Sequence, residues 1–176
     1  MDNEDEIVEK CRAGDIGAFK MIYQRYERPL LHTARRMLGR REDAEDAVQQ
    51  TFINLYRAVH RFKSGARFST WLFRIHLNVC YDALRKRRRA PTDQLEIDPA
   101  DRAPACDPHL GTEIDRAIEA LPRRMRACFV LYAVEGFEQK EVARILKISV
   151  GGVKSNVFHA RERLRAALAP RLQEST

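Results

Sequence analysis

The sequence predicts an all-α protein of two small helical domains, joined by an acidic proline-rich linker, with a helix-turn-helix in the second domain. Apolar residues recur at intervals of three and four along most of the 176 residues, and strand-like alternation is scarce. Glycine and proline are concentrated at a few positions that separate the periodic stretches. We therefore expect one domain over residues 1–90, a linker over 91–110 and a second domain over 111–176.

Three long helices are predicted in the first domain. One occupies Ile16 to Leu38, where Pro29 is expected to kink or divide it and Gly39 to end it. The next runs from Glu42 to about Arg61, and the third from Ser69 to about Arg89. On the third helix, the apolar face expected to be buried consists of Phe68, Leu72, Ile75, Val79 and Ala83.

The predicted linker holds four prolines and five acidic residues, against a single arginine. That composition is typical of a solvated connector rather than of a packed element. After it we expect a helix around Thr112 to Ala120, a helix that begins at Pro122 and reaches about Glu135, and then the helix-turn-helix from Gly136 to Arg165.

The helix-turn-helix is the strongest functional signal in the chain. Its first helix is expected to bury Val142, Ala143, Ile145 and Leu146, and Lys147 to Ser149 to form the turn. Ser149 can cap the second helix, because its hydroxyl can accept a hydrogen bond from a free backbone N–H. The inward residues of that helix are Val150, Val153, Val157, Ala160 and Leu164; the outward or flanking residues are Gly151, Lys154, Ser155, Phe158, His159 and Glu162. Turn spacing, cap and outer residues together favour DNA binding over a solvated hairpin.

A second surface is predicted on the helix from Ser69, opposite its apolar face. Aromatic and cationic side chains alternate there and include Trp71, Arg74, Asn78, Tyr81, Arg85 and Arg88, continued by Lys86, Arg87 and Arg89. Aromatic rings stack on unpaired bases and cations neutralise phosphates, so this mixture is typical of single-strand binding. An asparagine can also hydrogen-bond the edge of an extruded base. The alternative is that Trp71 belongs to the core and the arginines form a solvated helix end.

The helix from Glu42 has a polar side composed of Asp43, Asp46, Gln50, Asn54 and Arg57, beside an apolar stripe. A partner helix could dock there. In isolation the same pattern also fits a solvated face, since acidic residues near a helix start are favoured by the helix dipole.

Composition indicates which kind of partner the protein binds and in which cellular compartment it acts. A formal charge of +7 and a pI near 9.5 favour a polyanionic partner. The four cysteines show neither CxxC nor metal-ligand spacing, so we expect reduced thiols, no bound metal and no cofactor. Cys80 and Cys128 are predicted to be core residues, and Cys106 lies in the linker. The acidic start and the absence of a long apolar run indicate a cytoplasmic protein without stable membrane insertion.

Two segments, DAEDAVQQTFINLYRAVHRFKSGARFSTWLFRIHLNVCYDALRKRRR and LPRRMRACFVLYAVEGFEQKEVARILKISVGGVKSNVFHARERLR, resemble in order and spacing the extracytoplasmic-function branch of bacterial sigma factors. The resemblance implies a promoter-recognition subunit of RNA polymerase. It implies that the Asp43–Arg57 helix binds the polymerase clamp helices, centred on Asp46, Gln50 and Asn54. It also implies an anti-sigma partner and a linker that threads toward the polymerase active centre.

The same resemblance assigns two DNA surfaces. The loop from Lys63 to Phe68, with Arg67, and the following helix would read the minus-ten element, where Asn78 contacts a flipped base. The minus-thirty-five element would be read by Gly152, Lys154, Ser155, Phe158 and His159. Lys154 and His159 stand where a well-known family member has arginines, and Gly151-Gly152 replaces a commoner Gly-Thr, so we expect a different target sequence.

Two rival functions fit parts of the pattern. A conventional helix-turn-helix regulator would bind duplex DNA through Gly136 to Arg165 alone and use its first domain for dimerisation or sensing. A metal-dependent nuclease would need a carboxylate cluster, but Asp43, Glu45 and Asp46 spread around one helix with no histidine or lysine beside them. Initiation by purified core polymerase discriminates the sigma factor from the regulator.

Overall fold

The computed structural model of the protein describes residues 4–63, 67–89 and 108–174, with side chains described to residue 87 and again from 113 to 169. Within these ranges every regular element is helical, as predicted. The helices are α1 (Glu4–Arg12), α2 (Ile16–Leu38), α3 (Arg41–Ala58), α4 (Phe68–Arg89), α5 (Pro108–Glu119), α6 (Arg123–Phe129), α7 (Gln139–Leu146) and α8 (Val150–Glu174). A 3₁₀ turn (Val59–Arg61) extends α3, and a π turn (Val130–Val134) extends α6. Most of the predicted linker lies outside the described residues.

Helix α2 is continuous, so Pro29 does not divide it. The helix begins where Asp15 accepts a hydrogen bond from the Ala18 N–H at 3.0 Å. It ends at Gly39, as predicted, where a φ of 81° suits glycine and the Gly39 N–H donates to the Arg35 carbonyl. Tyr26, three residues before the proline, and Leu30, directly after it, are both buried, so core packing holds the helix through Pro29, which cannot donate a backbone hydrogen bond.

The N-terminal part of the molecule is built on α2, which contacts α1, α3 and α4. Its best-buried large side chains come from all three long helices and include Ile22, Leu30, Met37, Leu55, Phe68, Leu72 and Leu77. Cys11 and Cys80 are buried in the same core.

The predicted buried face of α4 is partly wrong. Phe68 and Leu72 are buried, but Ile75, Val79 and Ala83 are only half-buried. The buried set continues instead through Phe73, His76, Leu77, Cys80 and Leu84. The difference arises from tertiary packing. Helix α4 contacts α2, α3 and also α7, so its buried surface is wider than a single amphipathic stripe.

In the C-terminal part, α8 contacts α5, α6 and α7. Val153, Val157, Ala160 and Leu164 are buried as predicted, and Val150 is half-buried. The predicted helix from Pro122 to Glu135 is present, except that its last turn is a π turn. A second small core forms here from Ile118, Leu121, Val130, Ala160 and Leu164.

The two parts pack against each other in one continuous core. The rings of Phe73 and Phe137 meet edge to face, with centroids 4.7 Å apart. The Thr33 hydroxyl donates to a Glu135 carboxylate oxygen at 2.9 Å. Arg126 donates to the Met37 carbonyl at 2.7 Å, at the end of α2. This contact between the two parts, which brings α4 and α7 together, was not predicted from the sequence.

A buried histidine makes the stability of this fold sensitive to pH. The Nδ1 atom of His76 lies 2.8 Å from the Thr51 hydroxyl, and burial lowers the pKa of His76 to about 4. The unfolded chain therefore binds a proton that the folded chain excludes. Between pH 6.5 and about 4 the free energy of unfolding should fall by about 3 kcal/mol as pH decreases, measured by urea denaturation.

The control for this prediction is a second histidine. His76→Leu should lose this part of the pH dependence, whereas His60→Gln, at an exposed position, should keep it. A His76→Leu profile parallel to that of the wild-type chain would contradict the assignment.

Candidate nucleic-acid and polymerase interfaces

The helix-turn-helix has the geometry that its sequence predicts. Lys147 ends α7 in the left-handed region at φ 55°, and its N–H donates to the Ala143 carbonyl. Ser149 then caps α8, because its hydroxyl accepts a hydrogen bond from the Gly152 N–H at 3.0 Å. A Cβ at Gly152 would lie 3.2 Å from that hydroxyl, so the absence of a side chain leaves room for the cap.

The outer face of α8 is open to solvent. Lys154, Ser155 and His159 are exposed, and Phe158 is 60% exposed, an unusual position for a large apolar ring. The Phe158 and His159 rings stand edge to face at 5.4 Å. Gly152 is half-buried beside the cap. The structure therefore brings four of the five predicted minus-thirty-five residues to one accessible surface.

The predicted single-strand surface on α4 is only partly accessible. Arg67, Asn78 and Arg85 are exposed, whereas Arg74 and Tyr81 are half-buried. Burial raises the pKa of Tyr81 to about 12. Arg88 belongs to α4, but its side chain lies outside the described residues.

Trp71 is packed against the core and is also partly accessible, so neither alternative drawn from the sequence is eliminated. Its ring packs against Phe62 and Phe68, with centroids 5.1 and 6.0 Å away. The residue is nevertheless only half-buried and lines a cleft with Thr70, Arg74 and Arg144. The indole is thus held in place by the core, with part of its surface facing the cleft.

Two arginines of the basic region are engaged within the chain. Arg85 pairs with Asp82 one turn earlier. Arg87 donates to the Leu38 carbonyl at 3.2 Å and lies 3.6 Å from Asp43. Arg87 is therefore partly structural, and the basic character of this helix end cannot be assigned to nucleic acid as a whole.

The polar side of α3 is presented to solvent. Asp46, Gln50 and Arg57 are exposed and Asp43 and Asn54 are half-buried. The Gln50 amide donates to the Asn54 side chain at 2.9 Å, which orients both groups along the helix. The five predicted polymerase-binding residues thus form one accessible strip.

An apolar groove beside this strip was missed by the sequence analysis. Ile53 and Tyr56 are 45% and 62% exposed, and the groove that they line with Arg57 also contains Phe19, Tyr23, Gln49 and Phe52. Ile53 and Tyr56 are apolar but lie off the buried stripe of α3. Their positions in the sequence could therefore have indicated an exposed apolar groove. Exposed rings that border polar residues are typical of protein interfaces.

Cys80 and Cys128 lie in the core, as predicted. Cys11, Cys80 and Cys128 are buried, free thiols. Burial raises the pKa of Cys80 to about 12 and that of Cys128 to about 11, so both stay protonated near neutral pH. Cys106 lies outside the described residues. Within the described ranges no cluster of histidine, cysteine or carboxylate side chains could hold a metal ion, and no helix is long and apolar enough to cross a membrane.

Comparison with known families accounts for both parts of the chain. Sigma-70 region 2 matches residues 22–90, and Sigma-70, region 4 matches residues 111–164. The ECF RNA polymerase sigma factor SigM of Mycobacterium tuberculosis is 34% identical over 168 residues, which cover 94% of this chain and 85% of that protein. The ECF RNA polymerase sigma-E factor of Salmonella typhimurium is 30% identical, with 93% of each chain covered.

The chain belongs to the ECF RNA polymerase sigma factors. The resemblance drawn from the sequence is confirmed, and the relatives support this reading rather than that of a helix-turn-helix regulator acting apart from polymerase. Region 2 of this sigma factor contains the α3 strip and the α4 surface, and region 4 contains the helix-turn-helix.

Two solved structures share the fold of this sigma factor. CnrH in complex with the cytosolic domain of CnrY has a TM-score of 0.77 and 27% identity, covering 96% of this chain and 99% of CnrH. The sigma factor RpoE in complex with the anti-sigma factor NepR from Bartonella quintana has a TM-score of 0.73 and 26% identity, covering 88% and 98% of the respective chains.

Proposed function

We propose that this sigma factor divides its work among three surfaces: α3 binds core RNA polymerase, α4 captures the unpaired minus-ten strand, and α8 reads the minus-thirty-five duplex. The observation that carries the proposal is that one chain presents, on separate helices, an exposed polar strip, an aromatic-basic surface and an open recognition helix. The predicted domains, 1–90 and 111–176 with a linker between them, fit this division.

For the upstream element, α8 offers side chains suited to the major groove. Lys154 can neutralise a phosphate or donate to a guanine edge, and Ser155 can bond any of several base edges. The exposed Phe158 ring is suited to the methyl group of thymine, since apolar groups contact that methyl in direct readout. The Ser149 cap supports the start of the helix, where backbone N–H groups favour a phosphate.

For the minus-ten element, α4 supplies a rigid stacking platform. Phe62 and Phe68 hold the Trp71 ring, so a base that stacks on it does not have to order it first. Each such stack is worth about 1–3 kcal/mol, comparable with the cost of unstacking one base step. Asn78 is exposed for a hydrogen bond to a base edge, and Arg67, Arg74, Arg85 and Arg88 would neutralise the strand.

For polymerase, the α3 strip and its groove together form a protein interface. Asp46, Gln50 and Asn54 provide the polar contacts, while Ile53 and Tyr56 add apolar anchors beside them. Interfaces owe most of their affinity to such buried anchors and their orientation to the surrounding polar groups. Asp43 and Arg57 lie at the two ends of the strip.

We further propose an anti-sigma partner and a cytoplasmic, non-catalytic mode of action. The sigma factor RpoE is bound to the anti-sigma factor NepR, and CnrH to the cytosolic domain of CnrY, in the structures that this chain resembles, which supports the first point. A protein that acts with polymerase on promoter DNA would reside in the cytoplasm. No covalent bond changes in the proposed role, because strand capture and docking require binding alone, without metal or cofactor.

Transcription with purified core polymerase tests the function. Promoter fragments are obtained by mapping start sites after overexpression of the chain, and abortive products are then measured with and without added protein. Products should depend on the protein and on both promoter elements. Specific duplex binding without initiation would instead identify a conventional regulator.

Asn78→Ala is expected to impair strand capture selectively. Asn78 is exposed on α4 and lines a cleft with Tyr81 and Arg85, whereas Asp46 and Gln50 line a different cleft, so holoenzyme affinity should stay within about twofold while open-complex formation falls about tenfold. Permanganate footprinting measures the melted region, and fluorescence anisotropy measures core binding. Equal losses in the two assays would contradict the assignment of Asn78 to the melted strand.

Asp46→Arg is expected to weaken core binding by at least about tenfold, because it reverses a charge in the middle of the proposed interface. Binding of the chain to minus-thirty-five duplex should be unaffected, since α8 is a separate surface. Glu9→Arg makes the same charge change on α1, where Glu9 pairs with Arg12, and serves as the matched control. An unchanged core affinity of Asp46→Arg would remove the α3 strip from the interface.

A further inference from the structure

The Trp71 ring, the proposed stacking platform, belongs to a cluster of four aromatic rings in the N-terminal part of the molecule. This aromatic cluster consists of Tyr26 on α2, Phe62 after the 3₁₀ turn, and Phe68 and Trp71 on α4. Phe68 is 1% exposed and contacts the other three, with its ring centroid 5.8 Å from Tyr26, 5.5 Å from Phe62 and 6.0 Å from Trp71. The position of Trp71 therefore depends on how firmly Phe68 is held.

Tyr26 packs on Phe68 from α2, and its hydroxyl reaches α1. The two rings meet at an angle of 63°. The Tyr26 hydroxyl donates to a Glu4 carboxylate oxygen at 2.5 Å, and the phenol oxygen also accepts a hydrogen bond from Ser69. Burial and the carboxylate of Glu4 raise the pKa of Tyr26, so the hydroxyl keeps its proton and remains a donor. One phenol group thus joins α1, α2 and the start of α4.

Glu4 differs from Glu6 and Glu9, which belong to the same helix. Its side chain is 25% exposed, against 63% for Glu6 and 58% for Glu9. Glu6 and Glu9 form ion pairs within α1, whereas Glu4 reaches α2, where it meets Tyr26 and lies 3.7 Å from the Nε atom of Arg25. The helix dipole favours an acid at a helix start, but it does not require the side chain to turn toward a neighbouring helix.

Helix α1 is a firm support for this contact. Ile7, Val8 and Cys11 are buried in the core, and the helix contacts α2, α4 and the 3₁₀ turn. Phe62, which follows that turn, is a member of the aromatic cluster. Helix α1 therefore supports the cluster at two places, through Tyr26 and through the turn before Phe62.

We propose that Glu4 and Tyr26 position the Trp71 ring for strand capture. Glu4 fixes the hydroxyl of Tyr26, and the Tyr26 ring fixes Phe68. Phe68 in turn holds Trp71 where an unpaired base stacks on it. The inference rests on the proposed function of α4 and adds α1, which is not one of the three proposed surfaces. A ring that is already ordered loses less conformational freedom when a base stacks on it, so the strand is bound more tightly.

The motion of Trp71, the single tryptophan of the chain, reports its positioning directly. Tyr26→Phe removes only the hydroxyl and keeps the ring against Phe68, whereas Glu4→Ala removes the acceptor. In the full-length chain, each variant should raise the amplitude of the fast component of the Trp71 fluorescence anisotropy decay about twofold. The double variant should add nothing further, because the two groups act through one hydrogen bond.

Two control variants make the same chemical changes away from the aromatic cluster. Glu9→Ala removes an acid of α1 that pairs with Arg12. Tyr132→Phe removes the hydroxyl of a half-buried tyrosine that lies under Arg161. Both should give the wild-type anisotropy decay.

A conservative variant and a check of the fold complete this measurement. Glu4→Gln keeps an oxygen that accepts the Tyr26 hydroxyl, so it should restore most of the wild-type decay. Circular dichroism checks the fold; if Tyr26→Phe loses helix, Glu4→Ala carries the test, since Glu4 lies in the first turn of α1. A wild-type decay in the folded variants would overturn the positioning role.

Open-complex formation by the holoenzyme tests the consequence for function. Permanganate footprinting measures melting, and fluorescence anisotropy measures core binding. Tyr26→Phe and Glu4→Ala should lower open-complex formation about fivefold and keep core affinity within about twofold, while Glu9→Ala and Tyr132→Phe should match the wild-type chain. A merely structural role of the hydrogen bond would lower the urea midpoint without changing the ratio of melting to core binding, and that result would overturn the inference.

Asn78→Ala separates this inference from the function on which it rests. If Asn78→Ala impairs melting and Tyr26→Phe and Glu4→Ala do not, the positioning role is overturned, while the function of α4 stands. If all three variants melt the promoter like the wild-type chain, the assignment of α4 to the unpaired strand fails, and the positioning role fails with it.

Discussion

The packing of α4 is the constraint on which the rest of this molecule depends. The helix is part of the core of the N-terminal half, where Phe68, Leu72 and Leu77 are buried, and it is also the proposed reader of unpaired DNA. A helix buried on one side can carry a functional surface only along its remaining side. Because α7 covers part of that side, the accessibility of Arg67, Trp71 and Arg74 depends on where the second half of the chain lies.

The arginines of this protein either bind backbone carbonyls within the fold or are exposed to solvent. Composition alone does not distinguish the two groups. Some arginines satisfy backbone carbonyls at helix ends: Arg126 at the end of α2 and Arg87 at Leu38. Others, such as Arg67 just before α4 and Arg85 on it, are exposed even though each pairs with an acidic side chain. The net charge of +7 is consistent with a nucleic-acid partner, but only the second group is available to it.

The three proposed binding surfaces, on α3, α4 and α8, differ in how accessible they are. The α3 strip with its apolar groove and the outer face of α8 are both exposed while the two halves are in contact. The α4 platform is the one partly covered.

The sequence by itself predicted the helices that follow Ile16, the helix-turn-helix and the residues of the α3 strip, because these follow from local periodicity, caps and turns; it did not predict α1. Gly39 and Ser149 act where the chain predicts, since both roles involve only neighbouring residues. The tertiary structure decided how wide the buried side of α4 is, that Ile53 and Tyr56 stay exposed, and that Glu141 meets Arg67. These depend on contacts between residues that are distant in the chain, such as Arg67 and Glu141, which are 74 positions apart, and local patterns do not encode such contacts.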